Sequence, residues 1–257
     1  MRCALVVLAA AGCGLIAACS SGSRVPHGAV LLFDVSFGSP ENTVGEPPKV
    51  YESGSEQTFP STIASQIFLG APKVVDRLCG LDKQPVQLAA ASGTQGHEGL
   101  EFLLDQRYGH YHVELDLCVA SLGLPPKPAN EPQLAIFLDI PEAYALGLFE
   151  GGRIVVLDPA RGMAAVNEPQ VIGQYVVDKP MHIAIDFDLI AQSLSVAVDA
   201  KTIYTGKLDA YLARAVRVVI RGNPTNLAAF DNFFVWAEND RTAGAPEPLA
   251  PKTGPEQ

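Results

Sequence analysis

The amino-acid sequence predicts an all-β protein, a two-sheet antiparallel β-sandwich. Apolar and polar residues alternate with a period of two through Tyr111–Val119 and Met181–Val198, which is typical of strands buried on one face. Turn residues recur between short apolar runs along most of the chain. Because the apolar face of such a ladder must be covered, a second sheet has to pack on the first. The 257 residues, 48% of them hydrophobic, suffice for one such domain and are few for two.

The most regular alternation lies between Tyr175 and Gly206 and predicts a run of hairpins. In Met181–Asp188 the apolar residues share one face and His and Asp residues share the other. The elements that follow are a turn at Leu189–Gln192, a strand at Ser193–Val198, a tight turn at Asp199–Lys201 and a strand at Thr202–Thr205.

Similar runs predict the remaining elements. Gly38–Pro60 is rich in Pro and Gly and indicates a long surface loop. Ser61–Leu69 suits either a strand or one helical turn, and Tyr211–Ala215 suits one helical turn. Further strands are predicted at Ala29–Phe37, Lys73–Asp76, Val86–Ala91, Gly99–Leu104, Gln133–Asp139, Ala143–Phe149, Arg153–Leu157, Val171–Val177, Val216–Arg221 and Phe230–Ala237.

The N-terminus indicates export. Met1-Arg2 precedes a short apolar run, Ala4–Ile16, which is typical of a secretory signal. Ile16–Cys19 resembles the bacterial lipobox, and this resemblance implies that Cys19 is diacylated and becomes the mature N-terminus, anchored in a lipid bilayer. The alternative is ordinary cleavage near Ala18. Ser residues after the cysteine resemble the sorting pattern of outer-membrane lipoproteins. We divide the chain into a signal peptide (1–18), a tether (19–28), a sandwich domain (29–238) and a disordered tail (239–257).

Charge and cysteine content narrow the function classes. Without Arg2, 17 basic residues face 28 acidic ones, so nucleic acid is excluded as a partner on electrostatic grounds. If Cys19 is acylated, Cys79 and Cys118 remain, and export favours a disulfide between them. A loop of about 40 residues would gain about 4 kcal/mol from such a bond. The alternative is two buried thiols that act as small hydrophobes.

The order of the strands resembles a known fold family. The segments YHVELDL, LAIFLD, MHIAIDFD and SLSVAVDAKTIYTG, followed by the closing Phe230–Phe233, are similar to concanavalin A-like lectin/glucanase jelly rolls. The laminin-G-like group is the most similar, although Asp199-Ala200 stands where that family has Asp-Gly at a turn. The resemblance implies a jelly roll that recognises a glycan or a protein.

The same resemblance bears on whether the protein is an enzyme. Glycoside hydrolases of this family carry Glu-x-Asp-x-x-Glu on one strand, and this chain has Glu114 and Asp116. No second glutamate follows, because Cys118, Val119 and Ala120 come next. The residues therefore favour a protein that is not an enzyme.

Polar residues nevertheless collect on one predicted sheet face. His110, His112, Glu114 and Asp116 follow at two-residue steps, and His182, Asp186 and Asp188 lie on a strand that could be the neighbour. Cross-strand pairing of His112 with Asp186 is a weaker metal hypothesis, with calcium or zinc as the ion. The ligand-binding candidates are His112, Glu114, Asp116, His182, Asp186 and Trp236.

Two further features concern the closing strand. Phe233 and Val235 are predicted to point into the core, so Phe234 and Trp236 would face the other way, exposed as a binding patch or covered by the Gly38–Pro60 loop. Asp231-Asn232 would contact calcium or sugar, or cap a turn.

Three functions follow, in order of preference. The first is a surface-anchored binding lipoprotein, without a required cofactor, that recognises a glycan or an envelope protein. The second is a carbohydrate hydrolase with acids drawn from separate strands. The third is a structural envelope lipoprotein without a small ligand.

Overall fold

The computed structural model describes residues 24–38, 42–48, 72–88, 98–104, 108–120, 132–138, 144–149, 151–157, 170–207, 217–222 and 227–240. These residues form strands and turns, and no helix among them could cross a membrane. The strands are β1 (Val30–Val35), β2 (Lys73–Val74), β3 (Val86–Leu88), β4 (Glu98–Leu103), β5 (Tyr108–Ala120), β6 (Pro132–Leu138), β7 (Tyr144–Phe149), β8 (Arg153–Leu157), β9 (Gln170–Gln174), β10 (Met181–Asp188), β11 (Ser193–Val198), β12 (Lys201–Lys207), β13 (Arg217–Gly222) and β14 (Leu227–Asp240).

The strands form two antiparallel sheets, which confirms the predicted fold class. The first sheet has the order β12-β11-β10-β5-β14-β3-β2, and β1 pairs with β14 beside β3. The second sheet has the order β4-β13-β6-β7-β8-β9. Strands β10 and β5, whose alternation is the clearest in the sequence, lie side by side in the first sheet. We call the surface of the first sheet that faces away from the second its outer face.

One apolar core joins the two sheets. Val113, Leu115 and Leu117 of β5 are fully buried, as the alternation predicts. Burial of each such side chain stabilises the fold by about 1.5–3 kcal/mol. Phe102 of the second sheet stacks on Phe233 of the first, with ring centroids 3.9 Å apart, so the closing strand does point Phe233 inward.

The hairpin turns use residues that accept positive φ. Asp199 (φ 48°) and Ala200 (φ 63°) form the predicted turn between β11 and β12, where an alanine occupies a position that favours glycine. Gly151 and Gly152 (both φ 76°) form the turn between β7 and β8. A side chain on Gly152 would lie 2.5 Å from the carbonyl oxygen of Tyr175, so glycine is required there.

Strand β14 is interrupted by a β-bulge that redirects its side chains. The pairing of β14 with β5 shifts register between Asp231 and Phe234. Asn232 has φ 52°, and its backbone N–H donates to the Asp231 carboxylate, 2.7 Å away. As a result Asp231 opposes Asp116 on one side of the bulge, and Phe234 opposes Glu114 on the other.

A hairpin built on β2 and β3 folds back onto the outer face. Its tip is the two-residue turn Cys79-Gly80, with φ 46° and 87°. Leu78 and Leu81 exchange two backbone hydrogen bonds of 2.9 Å around that turn. Leu81 packs with Cys118 and Ala229, so the tip covers the end of the sheet.

Most strand boundaries lie within a few residues of the prediction. The last strand extends to Asp240, two residues beyond the predicted end of the domain. The predictions that lie outside the described residues are the signal peptide, Cys19, the segments Ser61–Leu69 and Tyr211–Ala215, and the tail from residue 241.

Candidate functional site

The polar residues singled out in the sequence meet on the outer face of the first sheet. Asp186 of β10 lies directly opposite His112 of β5, and His182 lies opposite Asp116. On the other side of β5, Trp236 lies opposite His112. The predicted neighbour relation of the two strands is therefore confirmed, residue by residue.

His112 is held between two carboxylates. Its Nδ1 lies 2.6 Å from Asp186 Oδ1, and its Nε2 lies 2.7 Å from Glu114 Oε1. Ionised carboxylates only accept hydrogen bonds, so both ring nitrogens donate and the ring is an imidazolium. Burial alone would lower the pKa of His112, but the hydrogen bonds to Asp186 and Glu114 outweigh it and raise that pKa to about 9.

The pKa values of the two carboxylates, Glu114 and Asp186, are lowered. The hydrogen bond from His112, opposed by burial and reinforced by Arg24, lowers the pKa of Glu114 to about 2. Burial acts to raise the pKa of Asp186, but hydrogen bonds from His110 and His112 hold it well below its usual range. Both groups are ionised at neutral pH.

His110 adds two further contacts with carboxylates, Glu238 and Asp186, to this set of ion pairs. Its Nδ1 lies 2.9 Å from Glu238 Oε1, and its Nε2 lies 3.4 Å from Asp186 Oδ1. The hydrogen bond to Asp186, opposed by burial and helped by Glu238, raises the pKa of His110. We call His110, His112, Glu114, Asp186 and Glu238 the central network. Its members satisfy one another.

Trp236 supports this network and does not form an open binding platform. Its side chain is on the outer face, as predicted, but the residue is only 9% exposed. The ring of His112 stacks on it at 4.9 Å between centroids, and the ring of His110 meets it edge-on at 5.3 Å. The two imidazoles cover the indole in this structure, and the role of Trp236 as a ligand contact stays a prediction.

The second half of the predicted tether lies against the sheet. Arg24 donates to Glu114, and its guanidinium carbon lies 3.9 Å from the centroid of the Phe234 ring. The side chain of Arg24 is still 47% exposed. Sequence reasoning missed this contact, because nothing in a short polar segment indicates which distant strand it meets.

A second group of polar side chains lies beyond Glu114, toward the β-bulge. His182 Nδ1 is 2.8 Å from Asp116 Oδ1, and Asn232 Nδ2 donates to Asp116 Oδ2 at 2.6 Å. Asp231 is only 2% exposed and accepts from the backbone N–H of Asn232 and, at 3.4 Å, of Phe37. Burial, with Asp116 nearby, raises the pKa of Asp231. Asp231 thus caps the bulge, which was one of its two predicted roles.

These residues border a cavity of about 310 Å³, which we call the end cleft. Asp199 fixes one side of it, since its Oδ1 accepts from the backbone N–H of His182 at 3.0 Å. The hairpin tip supplies the opposite wall, and neither Asp199 nor that tip was identified from the sequence as part of a site. The lining consists of Gly80–Lys83 from the hairpin, Asp116, Asp231 and Asn232 from β5 and β14, and Pro180–His182 with Asp199 from the other side.

The geometry weakens the metal hypothesis for His112 and Asp186. Among the described residues, no group of three or more His, Cys, Asp or Glu side chains is arranged to hold a metal ion. Both nitrogens of His112 are already used by carboxylates, so no lone pair is available for an ion. The predicted contact between the two residues is real, but it is an ion pair.

The two remaining cysteines meet at the edge of the end cleft. The structure holds Cys79, half-buried, and Cys118, buried, as free thiols. A hydrogen bond from Cys118 lowers the pKa of Cys79, and the same contact together with burial raises the pKa of Cys118. The alternative of two thiols therefore describes this structure, and the predicted disulfide would join a pair that is already in contact.

Comparisons with known proteins identify the fold. No protein-family model matches the chain, and no curated protein matches it in sequence. Among solved structures, a Trypanosoma rangeli sialidase in complex with 2,3-difluoro-KDN is similar over 83% of this chain and 31% of its own, at 13% identity and TM-score 0.51.

A structure of botulinum neurotoxin type C, whose cell entry depends on interaction with two ganglioside molecules, is similar over 83% of this chain and 48% of its own, at 11% identity and TM-score 0.50. The chain thus spans less than half the length of either protein. At these identities the likeness shows the β-sandwich fold.

Proposed function

We propose that the protein is a lipid-anchored outer-membrane lipoprotein whose concanavalin A-like sandwich binds a carbohydrate in the end cleft without cleaving it. The observation that carries this proposal is the end cleft itself. Among the described residues it is a place on the outer face where polar side chains border a cavity as well as one another.

The lining of the end cleft suits a sugar ring. Pro180, which is exposed, offers an apolar contact, while Asn232 and His182 offer hydrogen-bonding groups beside it. Carbohydrate recognition needs both, because one face of a sugar ring is apolar while its hydroxyls need donors and acceptors. The sialidase, which holds a sugar acid, and the neurotoxin, whose cell entry depends on gangliosides, support only carbohydrate in general as the ligand class.

The charge of the end cleft further narrows the class of glycan that we expect to bind. Asp82, Asp116 and Asp199 border it, against Lys83. Carboxylates accept hydrogen bonds from neutral hydroxyls and attract amino groups, but they repel acidic sugars. The ligand is therefore a neutral or amino-bearing glycan.

Binding without hydrolysis is supported by the state of Glu114. A glycosidase needs one carboxyl group with a raised pKa to protonate the leaving oxygen. The pKa of Glu114 is instead lowered to about 2, and its oxygens face His112 and Arg24. In the end cleft the pKa of Asp231 is raised, but Asp231 is only 2% exposed and accepts from the backbone N–H groups of Asn232 and Phe37, so it is not placed to protonate a ligand.

Anchoring through Cys19 would hold this face close to the bilayer. Arg24 contacts Glu114 and lies five residues after Cys19, a distance of about 18 Å when fully extended. Replacing Cys19 with Ala is expected to release the protein from the membrane fraction; retention of that variant would contradict the anchor.

The direct test of binding is a screen of the purified protein against neutral, amino-bearing and acidic glycans. We expect binding among the first two classes, and a loss of about tenfold or more in affinity for His182→Ala. His27→Ala is the matched control, because His27 is exposed and lies outside the lining of the end cleft. Hydrolysis of any bound glycan would favour the enzymatic alternative. The absence of binding in all three classes would favour a structural envelope protein.

A further inference from the structure

The hairpin tip that forms one wall of the end cleft is held by few contacts. Around the tip, Leu78 and Leu81 share two backbone hydrogen bonds, and Val75 and Pro85 share one of 3.0 Å nearer the base. The turn residues Cys79 and Gly80 are both in the left-handed region, which non-glycine residues rarely adopt. A third contact, from the backbone N–H of Gln84 to the carbonyl oxygen of Asp76, is 3.3 Å long. Short hairpin tips held in this way open locally at low free-energy cost.

The same tip carries a thiol that meets a thiol of the sheet. Cys79 is at the turn, and Cys118 lies on the outer face of β5, two residues from Asp116. The Cys118 thiol also donates to the carbonyl oxygen of Leu78, 3.6 Å away, which places it against the base of the turn. Leu78 and Cys79 pack on the cluster formed by Leu81, Cys118 and Ala229.

We propose that Cys79 and Cys118 are an oxidisable pair whose disulfide fastens the hairpin tip to β5 and so fixes one wall of the end cleft. The pairing does not depend on carbohydrate binding. Its effect on ligand affinity rests on the proposed function, but the test below needs no ligand.

The chemistry requires a disulfide oxidant, either a thiol–disulfide exchange protein or a small disulfide. The thiolate of the half-exposed Cys79 attacks one sulfur of the oxidant, forming a mixed disulfide and releasing one reduced thiol. The buried Cys118 then loses its proton and attacks the sulfur of Cys79, which expels the second reduced thiol. Two protein thiols are oxidised and one oxidant disulfide is reduced to two thiols, so electrons and protons balance.

The order of the two attacks follows from position. Cys79 lies on the turn and can be reached by an oxidant, whereas Cys118 is buried between Leu81 and Ala229. The lowered pKa of Cys79 adds to this order, since the thiolate is the nucleophile. Cys118 is then the resolving thiol.

The first test treats the purified, reduced full-length protein with glutathione disulfide and maps its peptides by mass spectrometry. We expect a peptide pair linked through Cys79 and Cys118, with the loss of two hydrogens. Glutathione that stays on Cys79 without resolution, or a link formed only between molecules, would overturn the pairing. Cys118→Ala is the matched variant and should accumulate the mixed disulfide on Cys79.

The second test measures how often the hairpin tip opens and needs no variant of the protein. Arg77 and Lys83 flank the tip and are exposed, so trypsin reports on opening of the hairpin. Cleavage after these residues should be about tenfold slower in the oxidised than in the reduced protein. Cleavage after Lys201, the exposed first residue of β12, should be unchanged. Equal rates at Arg77 and Lys83 in the two forms would contradict a fixed wall.

Discussion

The outer face of the first sheet holds two polar regions that differ in how their side chains are satisfied. In the central network, the side chains of His112 and its neighbours hydrogen-bond to one another. The ring of Trp236 stacks on His112, and Arg24 donates to Glu114. In the end cleft, Asp116, His182 and Asn232 also touch, but they border a cavity of about 310 Å³. A charged sheet face therefore need not border a cavity. The cavity lies where a bulge and a folded hairpin leave space beside the charges.

The comparison predicts that the central network stabilises the fold. His112→Leu removes the shared partner of Asp186 and Glu114, which keep weaker partners in His110 and Arg24. We expect a loss of about 2 kcal/mol in the free energy of unfolding, less than for a fully buried pair because these groups are partly solvated. Urea denaturation measures it.

A matched control shows whether replacing any histidine changes the free energy of unfolding as much as replacing His112. His27→Leu replaces an exposed histidine and should change the free energy of unfolding by less than about 0.5 kcal/mol. Equal effects of the two variants would mean that the ion pairs of His112 contribute nothing to stability.

The network also predicts how stability depends on pH. The pKa of His112 is raised from 6.5 to about 9, so its contribution is complete below pH 6.5 and is lost as the pH rises through about 9. The pKa of Glu114 is lowered from 4.5 to about 2, so its contribution is complete above pH 4.5 and is lost as the pH falls toward 2. Stability should therefore be greatest between about pH 4.5 and 6.5.

Thermal melts of the wild type and of His112→Gln across pH 4 to 10 check this dependence of stability on pH. The two curves should converge above about pH 9, where the difference of about 2 kcal/mol disappears. A difference that stays constant from pH 6 to 10 would show that His112 acts through packing alone.

A smaller effect is expected at the edge of the network. Arg24→Ala removes the guanidinium from the Phe234 ring and from Glu114. Because Arg24 is half-exposed, the loss should be about 0.5–1 kcal/mol. Arg77→Ala is the control, since Arg77 is 80% exposed and its contact with Asp76 is 3.6 Å long. Melts that shift equally for both variants would count against docking of the N-terminal segment.

Periodicity in the sequence predicts the central network better than the end cleft. Two-residue alternation places His112, Glu114 and Asp186 on one face, and the adjacency of two regular strands brings them together. The end cleft depends on Asn232 at φ 52° and on a hairpin tip that folds over Cys118. A bulge and a returning hairpin are set by tertiary packing, for which a period of two carries no signal.

The contact of Arg24 illustrates the same limit. A polar segment with Gly and Pro predicts a tether, and the contact of Arg24 with Glu114 depends on a carboxylate 90 positions away. Cysteine counting did better, because the two thiols that it paired do lie together. That inference needed no geometry, only an even number of thiols in a domain that the sequence predicts to be exported.

Binding of a glycan from the screen to His182→Ala and to His112→Gln, measured by calorimetric titration at pH 7, tests the central claim most directly. If the end cleft binds and the central network supports the fold, His182→Ala loses about tenfold or more in affinity while its melting temperature stays near that of the wild type. His112→Gln should melt earlier and keep its affinity. Retained affinity in His182→Ala together with lost affinity in His112→Gln would place the site in the network and contradict this account.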